Sequence, residues 1–146
     1  MKKHQSSMKV VWTSLAIIAA LFVGLPSYGQ STNEKPTIAI ISVPTDSPGE
    51  NMASEHIKGT AAMGNEKGAK VVVYALGGDT WWVQPYETSP YTDIGDDSKW
   101  ESQTHGGTKF LALLVKPTYK PQGKLSTIPA TGGDVLAVAK WPPEKK

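Results

Sequence analysis

From Thr37 to Trp141 the chain never runs far without a turn signal, and that punctuation limits what it can fold into. Short runs rich in β-branched and apolar residues, "TIAIISV" (37–43), "EHIKGTA" (55–61), "KVVVYAL" (70–76), "TWWVQP" (80–85), "KWESQT" (99–104), "KFLALLV" (109–115) and "VLAVAKW" (135–141), alternate with Gly, Pro, Asp and Ser clusters. Runs this short, with turns about every 8 to 12 residues, predict an all-β sandwich or barrel. No segment beyond residue 30 offers a convincing helix; "NMASEHI" could form one turn at most. The expected fold is an immunoglobulin-like or fibronectin-III-like antiparallel sandwich of about seven strands over 37–141, with a small barrel as the alternative.

The first residues read differently. Lys2, Lys3 and Lys9 precede sixteen uncharged residues from Val10 to Leu25, and Ser27-Tyr28-Gly29 supplies small residues at the positions a signal peptidase reads. That is the layout of a secretory signal peptide over 1–29. Sixteen residues are short of the roughly 20 that a spanning helix needs. Residues 30–36 form a polar lead-in and 142–146 a tail. Removing 1–29 leaves 117 residues, one domain, with twelve lysines against thirteen acids and hence a net charge of −1. The expectation is an exported protein, periplasmic or extracellular, with no membrane span in its mature form.

Composition narrows the function. There is no Arg and no Cys. Nucleic-acid binding calls for guanidinium groups and a basic patch, so that partner is disfavoured. The missing thiols remove Cys nucleophiles and Cys-ligated zinc. "DIGDDSKWE" concentrates Asp93, Asp96, Asp97 and Glu101, but its spacing is not that of a calcium loop; it reads as the turn tip of a second hairpin, between "PYTDI" and "KWESQT" across "GDDS", with Gly95 free to take φ > 0. His56 and His105 each lack a second ligand at metal-binding spacing. No Gly-x-Ser-x-Gly occurs, and "GGD" at Gly77 and Gly132 feeds no helix, so neither copy suits phosphate. No catalytic residue, metal or cofactor is assigned.

The adjacent tryptophans Trp81 and Trp82 must point to opposite faces of a strand. A three-residue loop, Gly77-Gly78-Asp79, would set Tyr74 opposite Trp82 and gather Val71, Val73, Ala75, Trp81 and Val83 on one apolar face. A two-residue loop would put Gln84 in the core instead, which is costly for an unpaired amide. On the first register Trp81 is buried, and Tyr74, Trp82 and Gln84 lie on the outer face. Those three are the candidate ligand-binding residues, because an indole beside a phenol with an amide at its rim suits a stacked pyranose ring. The rival expectation is structural: "FLALLV" is apolar throughout, which suggests a strand buried on both faces. The segment 116–134 is placed to fold back over that sheet. Trp100 is expected to point inward.

The run "VVVYALGGDTWWVQP … PYTDIGDDSKW … THGGTKFLALLVKPTYKP … GGDVLAVA" resembles a family of small secreted bacterial immunoglobulin-like β-sandwich domains, found alone or appended to exported proteins such as glycoside hydrolases. The resemblance implies fold and export, brings no catalytic residues with it, and leans toward carbohydrate. The expected function is therefore an exported, non-enzymatic, cysteine-free module acting through surface contacts, with a polysaccharide or another envelope component as ligand. The alternatives are a purely structural or protein-partner domain of the envelope, and a small secreted hydrolase.

Overall fold

The computed structural model describes residues 34–44 and 55–144; the signal-peptide assignment, most of the polar lead-in and the last two residues of the tail lie outside them. Among the described residues there are nine strands and no helix: β1 Thr37–Ser42, β2 Glu55–Ala62, β3 Lys70–Gly77, β4 Thr80–Gln84, β5 Tyr91–Thr92, β6 Lys99–Thr104, β7 Phe110–Val115, β8 Lys124–Leu125 and β9 Val135–Trp141. They form two antiparallel sheets, β1-β2-β6 and β8-β4-β3-β7-β9, with β5 also paired to β3. Setting aside the two-residue strands β5 and β8, seven strands remain, three facing four, in a sandwich.

The inner faces make the main core. Ile57, Ala61 and Trp100 of the smaller sheet meet Val71, Val73, Ala75, Phe110, Ala112 and Leu114 of the larger. These positions alternate along each strand, as one buried face of a pleat requires. Trp100 is buried, as its sequence context suggests, with its ring laid over Gly59, its direct cross-strand partner.

A second core lies on the far side of the larger sheet. Val72, Tyr74, Trp81, Val83, Leu111, Leu113 and Val115 point away from the small sheet and are covered by Leu125, with Tyr119 and Ile128 packed against them. So β7 is buried at all six positions, and the segment 116–134 does fold back over it. The phenol of Tyr74 donates to the carbonyl of Gln122 at 3.0 Å, and that of Tyr91 to the carbonyl of Tyr119 at 2.7 Å, fastening the cover.

The β3–β4 register differs from the expected one. Gly77 pairs with Thr80, Leu76 with Trp81, Ala75 with Trp82 and Val73 with Gln84, so the loop is the two residues Gly78-Asp79. Gly78 takes φ +64°, which suits the first central position of a two-residue hairpin turn. Tyr74 is therefore opposite Val83 rather than Trp82, and every β4 side chain changes face relative to β3. Gln84 does enter the interior, 3 % exposed, but not unpaired. Its Nε2 donates to the Trp82 carbonyl at 3.0 Å, and its Oε1 accepts the His105 backbone N–H at 2.8 Å. The penalty that argued against this register applies to an unsatisfied amide and falls away once partners are present.

The expected hairpin across "GDDS" is also absent. β5 pairs with β3 while β6 pairs with β2, so the turn at 95–98 carries the chain from one sheet to the other. The Asp97 carboxylate caps it by accepting the Lys99 N–H at 3.1 Å, and Ser98 rather than Gly95 takes the positive φ. Its role as a turn tip stands.

Burial pushes the Tyr74 phenol above the ordinary tyrosine range, and the neighbouring Tyr119 adds to the rise. In the unfolded chain that phenol ionises near about pH 10. Its contribution to stability is whole below that pH and declines as pH rises toward the folded-state value, because the unfolded chain releases the proton first. The urea midpoint should fall between about pH 9 and pH 11, and Tyr74→Phe should fall less over the same interval. Equal declines in the two proteins would exclude this phenol as the titrating group.

Candidate functional site

The larger sheet is wider than the sheet that covers its inner face. β1 sits over β9 and β7, β6 over β3 and β4, and the small sheet ends there. The inner face of β4 is thus only partly roofed. On it, Trp82 at the open margin and Gln84 beneath the roof, two apart on the strand, share a side, and Tyr86, just beyond the strand end, lines the same cleft. Trp82 is 44 % exposed and Tyr86 47 % exposed. Both line a cleft of about 370 Å³ whose other walls come from Glu87, from His105 and Gly106 after β6, and from Gly123 and Lys124 of the covering segment.

Hydrogen bonding fixes the floor of the cleft. The Gln84 amide can be oriented only one way, since Oε1 accepts a backbone N–H and Nε2 donates to a backbone carbonyl. The same Oε1 lies 2.8 Å from Nδ1 of His105, so Nδ1 carries the proton. In the neutral ring Nε2 is then the acceptor. Tyr86 meets the imidazole edge-on, with centroids 5.6 Å apart and planes at 85°. On the rim, the Lys124 ammonium stands 4.3 Å from the centroid of the Trp82 ring.

The three residues named from the sequence therefore separate. Trp81 is buried and Trp82 exposed, as expected, but Trp81 packs in the outer core beside Tyr74, not between the sheets. Tyr74 is fully buried on the opposite face from Trp82, so the two do not form a platform. Gln84 lies in the cleft as part of its floor, with its oxygen already engaged. The sequence reading missed Tyr86, His105 and Lys124.

The remaining polar clusters lie elsewhere. Glu101 accepts from His56 at 2.7 Å and Lys58 at 3.2 Å on the exposed face of the small sheet. Lys70 pairs with Asp93, and Lys99 with Asp97 at 2.7 Å. Among the described residues no three of His, Asp and Glu gather as metal ligands, and no helix is long and apolar enough to cross a membrane. A larger groove of about 690 Å³ runs between β1 and β9, lined chiefly by Ile38, Ile40, Ile128 and Val138 with Lys140 and Glu144 paired at its rim. It is more open and, Trp141 apart, aliphatic in its apolar lining, whereas the Trp82 cleft sets two aromatic rings beside oriented polar groups.

Fold and site together define an antiparallel β-sandwich carrying an aromatic-walled surface cleft at one margin. Comparison with family models, with curated proteins and with solved structures gave no match for this chain.

Proposed function

We propose that this is an exported, non-enzymatic binding module whose ligand is a polysaccharide of the envelope or its surroundings, held in the Trp82 cleft. One observation carries the proposal: two half-exposed aromatic rings, Trp82 and Tyr86, line one cleft that also presents a fixed imidazole and two charged groups at its rim. Sugar rings bind where apolar faces and a few oriented polar groups coincide. Gln84 acts here as a positioning residue for His105. Export rests on the leader-like residues 1–29, and the leaning toward carbohydrate is shared with the domain family that the sequence resembles. Binding is favoured over hydrolysis because glycoside cleavage takes a pair of carboxylates and, among the described residues, Glu87 is the only one lining this cleft.

Affinity electrophoresis against soluble glucans, mannans and xylans tests this. At least one polysaccharide should retard the wild-type protein, Trp82→Ala should abolish the retardation, and Tyr86→Ala should weaken it. Unretarded migration of the wild type on every gel would sink the proposal.

A second function, docking of a protein partner, is favoured by one separate feature. β1 is an edge strand without an internal charge, and Ile41 on it is 63 % exposed. Edges of that kind pair readily with another strand.

A further inference from the structure

Two charged groups line the Trp82 cleft without pairing with each other. The Lys124 ammonium sits over the indole at 4.3 Å, within the range where the ring quadrupole attracts a cation. It is the direct cross-strand partner of Trp82, so the β8–β4 register sets it beside the ring, and among the described residues it has no ion-pair partner. The Glu87 carboxylate lies against Gly123, where an added methyl would fall 2.7 Å from its carboxyl carbon. It too has no ion-pair or hydrogen-bond partner among the described residues. An aromatic face that accommodates an ammonium and an uncommitted carboxylate on the same cleft are the two things a ligand cation needs when it leaves water.

We propose that the cleft takes a ligand ammonium group in the position that Lys124 holds in the free protein, with Glu87 as its counter-charge. On the carbohydrate reading, on which this rests, the ligand is a glycan with free amino groups, a de-N-acetylated aminoglycan. Lys124 is then a placeholder. Its flexible four-carbon stem lets the ammonium swing to solvent as the ligand enters. Trp82 supplies the face, Tyr86 the second aromatic wall, and Nε2 of His105 an acceptor for a sugar hydroxyl.

The test is calorimetric titration of the purified protein with a β-1,4-glucosamine hexamer and with its fully N-acetylated counterpart, at a pH where the free amines are protonated. The glucosamine hexamer should bind about tenfold more tightly, a margin that shrinks in high salt because the added contacts are between charges. Glu87→Gln should bring the two ligands near parity, weakening the glucosamine hexamer more than the N-acetylated one. Lys124→Ala should tighten the glucosamine hexamer a few-fold by removing its competitor. The changed groups are two exposed side chains and a ligand substituent, so folding is not at stake. Equal binding of both hexamers, or weaker glucosamine binding by Lys124→Ala, overturns the ammonium site and leaves the carbohydrate reading standing. If neither hexamer binds and no neutral polysaccharide retards the protein, both fall together.

Discussion

Gly59→Ala should destabilise the protein by about 3 kcal/mol, the upper end of what overpacking usually costs. A methyl is ordinarily an improvement on glycine inside a strand, since it restricts the unfolded chain. Here it has nowhere to go. Its carbon would stand 2.0 Å from the carbonyl oxygen of Ala39 and 2.4 Å from the Trp100 ring. The first obstacle is backbone of the neighbouring strand and cannot rotate aside; the second is a buried indole that fills the middle of the small sheet's inner face. The Trp100 Nε1–H has no hydrogen-bond partner among the described residues, so what holds the ring is its packing, including the contact with Gly59. Urea titration of the variant should show the midpoint lowered. A midpoint at or above the wild-type value would mean that the indole does not rest on Gly59.

Tyr74→Ala and Trp82→Ala should separate widely in the same assay. Tyr74 is fully buried beneath the covering segment and anchors it through Gln122, so truncation should cost about 3–5 kcal/mol, as for other large aromatic side chains in cores. Trp82 is close to half exposed and its described polar contact is with the Lys124 ammonium, so its loss should cost about 1 kcal/mol or less. Two side chains that the expected register placed as one exposed pair would thus differ severalfold in stability. Comparable losses would restore that register, or bury Trp82.

What the sequence disclosed and what it hid follow from the range of the interactions involved. The all-β class, the strands on either side of the "GGD" turn, the fully buried β7 and the cover from 116–134 are written in local patterns: turn residues, period-two alternation, an uninterrupted apolar run. The face of Trp82 was not. Deciding it required the cost of burying Gln84, and that cost depends on His105, 21 residues further along the chain. A residue that neutralises a buried amide from such a distance leaves no mark near it. The false hairpin at "GDDS" has a similar cause, because a good turn states that the chain reverses, not which sheet receives the next strand. The cleft combined both problems. Trp82 and Gln84 share a side by strand alternation, while Tyr86 joins them from beyond the strand end and Lys124 and Gly123 reach the cleft only because the cover folds back.

That last point bears on how the protein opens. One wall of the cleft, Gly123 and Lys124, belongs to a segment attached to the larger sheet by the two-residue ladder of β8 on β4, the Val83 N–H donated to the Gly123 carbonyl, two phenol-to-carbonyl bonds and the side chains of Tyr119, Leu125 and Ile128. Such a flap is the natural unit of sub-global unfolding, detaching with β8 while the seven longer strands stay paired. Whatever binds across Trp82 and the flap is therefore linked to that partial opening more than to the melting of the sandwich: occupancy should slow amide exchange along 116–125 in proportion to ligand concentration, and leave the protection of β3 and β7 set by the global equilibrium.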